Sequence, residues 1–372
     1  MKNGIDRLAL IRPYLQGKRV GLLTNYTGVT LDLRRSADVL IGIADVRVIL
    51  TPEHGLYGAF QAGEAVGDGV YENTGIPIVS TFRSGTAEPD WTDRIDILVY
   101  DIQDVGLRFY TYIYTLSDAM QVCAAHGIEV LVLDRYNPLG LTKREGTILK
   151  REFSSFVGRF PIPSRYALTV GELARYWNTE EHIGCVLHVV PCEGLSRADG
   201  ASIPAVPWIP TSPNCPTMDS VRCYAGTVLL EGTNLSEGRG TTKPFEVFGA
   251  PFLKARALAD DLNGMGLPGV LFRYHPFIPW FSKHKGELCQ GVMLHVTDQA
   301  AFRAFETGVR ILDRIRRTQP EFSFVRDKND RYFIDKLLGT DAIRQPDFDA
   351  DAFLQEQAEA VRRFDASAYH LY

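Results

Sequence analysis

The chain has 372 residues, a length that suits about two domains at ~150 residues each. It is 45% hydrophobic and 23% charged, the balance of a globular protein, which excludes a disordered one. Forty Lys and Arg against 45 Asp and Glu leave a net charge of −5, too mild to bind nucleic acid or anionic lipid by charge alone. No run approaches the ~20 apolar residues of a membrane span, and residues 1–6 have no apolar stretch of the kind a secretory signal needs. The six cysteines are scattered with no CxxC pair, so they read as buried thiols of a reducing compartment, and the expected location is cytoplasmic.

In chain order, short Val/Ile/Leu runs at 19–24, 46–50, 76–80, 97–101, 130–134 and 186–190 predict strands. They lack polar alternation, as strands do when both faces of a parallel sheet are covered. Segments 5–15, 33–42, 115–126 and 170–178 carry apolar residues at helical spacing. Strand–helix alternation predicts an α/β fold: a Rossmann-like, doubly wound, mainly parallel sheet over residues 1–222. Five prolines (Pro204, Pro207, Pro210, Pro213, Pro216) then exclude a helix or central strand and predict a linker or loop. From 223 to 372 the texture becomes α+β, with strands at 270–274 and 291–296 and helices at 299–317 and 350–364. This smaller C-terminal domain is expected to complete a cleft.

Ligands of open parallel sheets bind beyond the carboxyl ends of the strands. Here those ends are polar: Thr24-Asn25, then Thr51-Pro52-Glu53-His54-Gly55, Asp101-Ile102-Gln103-Asp104 and Asp134-Arg135-Tyr136-Asn137. Familiar cofactor motifs are absent. There is no GxGxxG after a strand, no GxxxxGK[ST], no HExxH and no GxSxG, so no cofactor is expected. His54 has no second histidine at ligand spacing, so no metal is expected either.

What remains is a surplus of carboxylates at strand tips, and glycoside hydrolysis commonly uses two. Glu53 is the candidate acid, because partial burial behind a buried strand would raise its pKa. It could equally be a helix cap or a solvated loop acid. His54, Asp101 and Asp104 complete the catalytic candidates, although a strand-end aspartate such as Asp101 often caps the following turn. Arg108, Arg135 and Arg239 could each grip a substrate carboxylate with two hydrogen bonds, or pair with these acids instead. Asn25, Gln103, Tyr110, Asp134, Asn137, Asn234 and Glu237 are further candidate binding residues. Tyr110, Tyr112 and Tyr114 alternate at strand period, which places them on one face, in the core or against a sugar.

Four segments carry a family resemblance. They are Thr51-Pro52-Glu53-His54-Gly55, the run 101–112 (DIQDVGLRFYTY), the run 134–140 (DRYNPLG) and the run 231–241 (EGTNLSEGRGT). Together they resemble the family labelled DUF1343, which includes exo-β-N-acetylmuramidases of the NamZ type, and the match runs in order from about Gly21 to the C-terminus. The resemblance implies a Rossmann-like domain, a smaller C-terminal domain and an active cleft between them. It also implies release of N-acetylmuramic acid from the non-reducing end of peptidoglycan fragments, with Glu53 as the catalytic glutamate. The expected partner is thus an amino-sugar or muropeptide substrate, with no nucleic acid and no membrane. Two other readings stand beside it: a non-catalytic amino-sugar binding protein, and a metal-assisted hydrolase built on Glu53, His54, Asp101 and Asp104.

Overall fold

The computed structural model describes residues 1–61, 63–81, 90–199 and 208–372. Seven strands form the main sheet: β1 (Arg19–Thr24), β2 (Asp45–Thr51), β3 (Gly69–Tyr71), β4 (Ile76–Ser80), β5 (Ile97–Asp101), β6 (Glu129–Leu133) and, after the antiparallel pair β7 (Glu145–Ile148) and β8 (Pro163–Arg165), β9 (Leu187–Val190). Their order is β3-β4-β2-β1-β5-β6-β9, and all neighbours except β3 and β4 run parallel. Without the edge strand β3, this is the Rossmann order, with its switch point between β1 and β5.

The unbroken apolar runs have the predicted cause. Val20, Leu22, Val99 and Leu131 pack into one layer, with Ile11 and Leu15 of α1 (Leu8–Leu15) and Val39 and Leu40 of α2 (Ser36–Ile41). Their chain neighbours Leu23, Leu98, Tyr100, Val130 and Val132 pack into the other, with Leu116 and Met120 of α3 (Tyr112–His126) and Leu173 and Trp177 of α4 (Val170–Glu180). Each strand is therefore buried on both faces.

The second layer continues without interruption into the C-terminal half, through Val221, Leu229, Phe248, Val292 and Ile311. That half holds α5 (Met218–Thr227), β10 (Val247–Ala250), α6 (Ala255–Gly264), β11 (Val270–Tyr274), β12 (Gln290–Val296), α7 (Ala304–Thr318), α8 (Phe333–Leu338) and α9 (Ala350–Arg363). Its strands form an antiparallel sheet in the order β10-β12-β11. Helices α5 and α7 cross at two glycines; a Cβ on Gly226 would lie 1.9 Å from the Ala304 carbonyl oxygen.

Two elements depart from the sequence reading, the expected boundary meets a helix, and the proline-rich stretch is irregular where described, as expected. The expected boundary at 222/223 falls inside α5. Helix α7 starts at Ala304 because the Asp298 carboxylate accepts the Ala300 and Ala301 N–H groups and folds 298–301 into a turn. Tyr112 opens helix α3, so the three tyrosines are not a strand face. In the proline-rich stretch, Pro204 and Pro207 lie outside the described residues; from Trp208 to Thr217 the chain is irregular and is anchored by Thr211, which meets the hydroxyls of Tyr110 and Tyr112.

Candidate active site

Strand β2 ends at Thr51, and the next residues reverse direction in a turn closed by the Gly55 N–H on the Pro52 carbonyl. His54 (φ 72°) and Gly55 (φ 74°) both take left-handed backbone, a conformation that costs a non-glycine residue on the order of 1–3 kcal/mol. The turn points Glu53 away from the sheet. One carboxylate oxygen of Glu53 accepts the Gly63 N–H at 2.8 Å, and the other accepts the Thr111 hydroxyl at 2.7 Å, just before α3. His54 is buried, with Nδ1 2.8 Å from the Phe60 carbonyl oxygen. That contact requires the proton on Nδ1.

The opposite wall comes from the C-terminal half. Glu231, Arg239, Tyr224 and Phe245 line the same cleft as Glu53 and His54, whose volume is about 480 Å³, within the ~300–1,000 Å³ of small-molecule sites. Further lining comes from Phe109, Tyr110, Phe156, Phe281 and Phe333, and from Ser212, Asn214 and Cys215 of the proline-rich stretch. Arg239 lies between two acids: its Nη1 is 3.1 Å from both Glu231 and Glu237. Its guanidinium carbon stands 5.0 Å from the centre of the Phe245 ring. Nε is buried and has no hydrogen-bond partner, and among the described residues none is found for Nη2. Nη1 is thus held, while Nε and Nη2 have no partner among the described residues.

Glu237 is buried and bonded on its other side by Lys283, whose ammonium also reaches the carbonyls of Leu230, Glu231 and Leu235 at 3.0–3.1 Å. Two carboxylates face two cations. Burial alone would push the Glu237 carboxyl up, but Lys283 and Arg239 outweigh it and hold it below the usual range. Burial lowers and the two glutamates raise the Arg239 guanidinium, and the glutamates prevail. Burial raises the Glu231 carboxyl; Arg239 opposes this without cancelling it, and Glu237 adds to it.

Several sequence candidates lie elsewhere. Asp101 and Arg135 form a fully buried two-point ion pair at 2.6 and 2.8 Å, and Arg135 also reaches the Val29 carbonyl. They fill the switch point beyond β1 and β5, where only a void of about 20 Å³ remains beside Thr27, Gln103 and Arg135. Asn25 receives Thr27 there, and Gln103 donates to the carbonyls of Asp104 and Tyr136. Asp104 accepts Tyr166 and the Gly106 N–H away from Glu53, and burial pushes its carboxyl up to about 6. The four residues of the metal-assisted reading therefore do not meet, and among the described residues no three His, Cys, Asp or Glu side chains converge.

Arg108, expected to hold substrate, is wholly buried and donates to the Thr147, Ile162 and Leu337 carbonyls. Asp134 receives Thr169 and the Gly171 N–H at the start of α4, plus the Tyr372 hydroxyl. Asn137 ties Leu139 to Leu168, and Asn234 holds the chain at Glu321 and Ser323. Of the sequence candidates, Glu53, His54, Tyr110 and Arg239 line the cleft; Glu237 supports it from behind.

The sequence reading did not single out Glu231, Thr111 or Tyr224. The signal for Glu231 was its place eight residues before Arg239, which puts three charged residues (231, 237, 239) in one short glycine-rich stretch of sequence.

The comparisons with known proteins agree across the whole chain. The family model described as Exo-beta-N-acetylmuramidase NamZ, N-terminal, matches residues 20–219, and its C-terminal counterpart matches residues 222–372. The peptidoglycan beta-N-acetylmuramidase NamZ of Bacillus subtilis (strain 168) is 45% identical over 349 residues, covering 92% of this chain and 83% of that protein. Two crystal structures of DUF1343 family proteins from Bacteroides fragilis NCTC 9343 superpose with TM-scores of 0.88 and 0.80, at 34% and 29% identity, each covering 100% of this chain and 98% of the other. With its two halves matched by the two family models in order and a relative at this identity, the chain belongs to the NamZ (DUF1343) family.

Proposed function

We propose that this chain is an exo-acting glycosidase that releases N-acetylmuramic acid from the non-reducing end of peptidoglycan fragments. The observation that carries the choice of sugar is Arg239 in the cleft that holds Glu53, with its Nε and Nη2 unpaired among the described residues. N-acetylmuramic acid differs from N-acetylglucosamine by a lactyl carboxylate, and a planar fork with two unused donors suits that group. Glu53 from the N-terminal half and Glu231 from the C-terminal half supply the two carboxyl groups that glycoside hydrolysis commonly uses. Thr111 and Gly63 fix Glu53, and the aromatic walls offer apolar surface to the pyranose ring.

The enzyme acts on muropeptide fragments in the cytoplasm. In support, all six cysteines are free and buried, which suits a reducing compartment.

The test is a side-by-side assay on chromogenic β-N-acetylmuramide and β-N-acetylglucosaminide. Turnover should favour the muramide, and Glu53→Gln should lower kcat by about 10²–10⁴-fold with the fold retained, the usual size of acid–base or nucleophilic loss. A variant that keeps more than about a tenth of wild-type kcat would remove Glu53 from the chemistry.

A further inference from the structure

The segment between β11 and β12 borders the cleft, which it lines with Phe281 and Ser282. It is tightly built. The Trp280 N–H donates to the Gly240 carbonyl at 2.8 Å, and Phe277 and Cys289 exchange two backbone hydrogen bonds. Lys283 reaches four oxygens inside the C-terminal half, and His284 Nε2 lies 2.7 Å from the Asn234 carbonyl oxygen. Ser282 and His284 both hold left-handed backbone (φ 69° and 56°), a shape that persists only where its surroundings impose it. Gly240, next to Arg239, touches the segment so closely that a Cβ there would lie 2.6 Å from the Phe281 carbonyl oxygen.

This fixed segment leaves its largest side chain in water: Trp280 is 83% exposed. Ile278 and Leu288 of the same segment are also exposed, as is Phe156 on the cleft lining. Scattered apolar residues on a surface need no explanation, but a largely exposed indole on a fixed segment, next in the chain to the cleft-lining Phe281, is placed to serve a ligand that extends out of the cleft. An exo-acting enzyme takes the end of a chain into its cleft, so the rest of the glycan must leave across that mouth. The indole, wide and carrying one N–H donor, suits the apolar face and hydroxyl rim of a sugar ring.

We infer that Trp280 is a glycan-binding platform on the leaving-group side, stacking on a sugar beyond the bond that is cut. The inference rests on the proposed exo-muramidase reading, and it assigns chain-length preference to a residue outside the reacting centre. It commits to the glycan as occupant, because the surface is continuous with the cleft through Phe281.

The experiment reads binding on the Glu53→Gln protein by calorimetry. The ligands are N-acetylmuramic acid and a tetrasaccharide of alternating N-acetylmuramic acid and N-acetylglucosamine with the muramic residue at its non-reducing end. Trp280→Ala should weaken the tetrasaccharide roughly tenfold, the scale of one buried aromatic contact, and the monosaccharide less than about twofold. Trp280→Tyr should restore most of the loss. Trp91 and Trp177 are buried and Trp208 is half-buried, so the Trp280 share of acrylamide quenching is taken as the difference from Trp280→Ala, and the tetrasaccharide should shield it where the monosaccharide does not. Equal loss on both ligands, no loss on the tetrasaccharide, or a wild-type dimer that Trp280→Ala dissociates without changing glycan affinity would each overturn the inference. Failure of the exo-muramidase reading shows separately, as wild-type protein that does not cleave the aryl muramide.

Discussion

If Arg239 reads the lactyl carboxylate, its replacement should change which sugar is preferred, and the structure sets the size of the change. Its Nη1 is held by Glu231 and Glu237 at 3.1 Å and its plane lies near Phe245, so the Nε–Nη2 edge is already oriented before substrate arrives. A charge-assisted contact of this kind is worth about 1.5–3 kcal/mol, or roughly ten- to a hundredfold. Arg239→Lys keeps the charge and loses the fork, so the ratio of kcat/KM on the muramide to that on the glucosaminide should fall only part of the way. Arg239→Ala should lose the whole factor. Alanine also strips Glu231 of its ion-pair partner, whereas Glu237 keeps Lys283, so some activity will be lost on both sugars. The ratio, rather than either rate, is therefore the quantity to read. Arg108→Met is the control: its Nη1 and Nη2 donate to backbone carbonyls and Thr147 and it does not line the cleft, so it should lower Tm and leave the ratio alone. If Arg239→Lys and Arg239→Ala reduce activity by the same factor on both sugars, Arg239 only supports its loop and the lactyl group is read elsewhere.

The arrangement of strands was legible because burial on both faces demands unbroken Val/Ile/Leu runs, and β1, β4 and β5 match the predicted 19–24, 76–80 and 97–101 residue for residue. Glu53 was legible for a related reason: a lone carboxylate just past a buried strand sits where open sheets place ligands. The same rule misdirects at Asp101 and Arg135. They also sit at strand tips, but 34 residues apart they neutralise each other and close the switch point where a dinucleotide would otherwise lie. Nothing in the spacing of polar residues tells a pair that seals a crevice from one that lines it. Arg108 and Arg239 look alike in sequence for the same reason. What separates them is whether the donors end on the protein's own carbonyls, and Leu337, one of those acceptors, is 229 residues away. Glu231 was hidden differently, as the polar end of the short 3₁₀ helix Val228–Gly232, where an acid reads as an ordinary surface residue.

Two further predictions concern titration. Burial raises the Asp104 carboxyl from 3.8 to about 6, so the folded state favours its protonated form, and the stability from this group is present below about pH 4 and lost as pH rises through 6. Asp104→Asn keeps an acceptor for Tyr166 and Gly106 and does not titrate. Its stability relative to wild type should therefore rise between pH 4.5 and 7.5 by about 2 kcal/mol, at about 1.4 kcal/mol per pKa unit with part of the effect already present at pH 4.5; urea midpoints at the two pH values check it, and a pH-independent gap would refute it. The last prediction follows from charge balance in the cleft. Glu231 and Glu237 against Arg239 and Lys283 come to zero when all four are ionised, so a bound lactyl carboxylate brings in an uncompensated negative charge. Burial already raises the Glu231 carboxyl, so Glu231 is the group that should give way by taking a proton. N-acetylmuramic acid should then bind with uptake of a fraction of a proton, seen as a dependence of the calorimetric enthalpy on the buffer used, while N-acetylglucosamine should show none. Glu231→Gln should abolish the uptake and flatten the pH dependence of muramic acid affinity. Uptake that persists in that variant would place the responding group elsewhere. Uptake that disappears would show that the cleft holds a proton on Glu231 in response to the one substituent that distinguishes the muramyl residue.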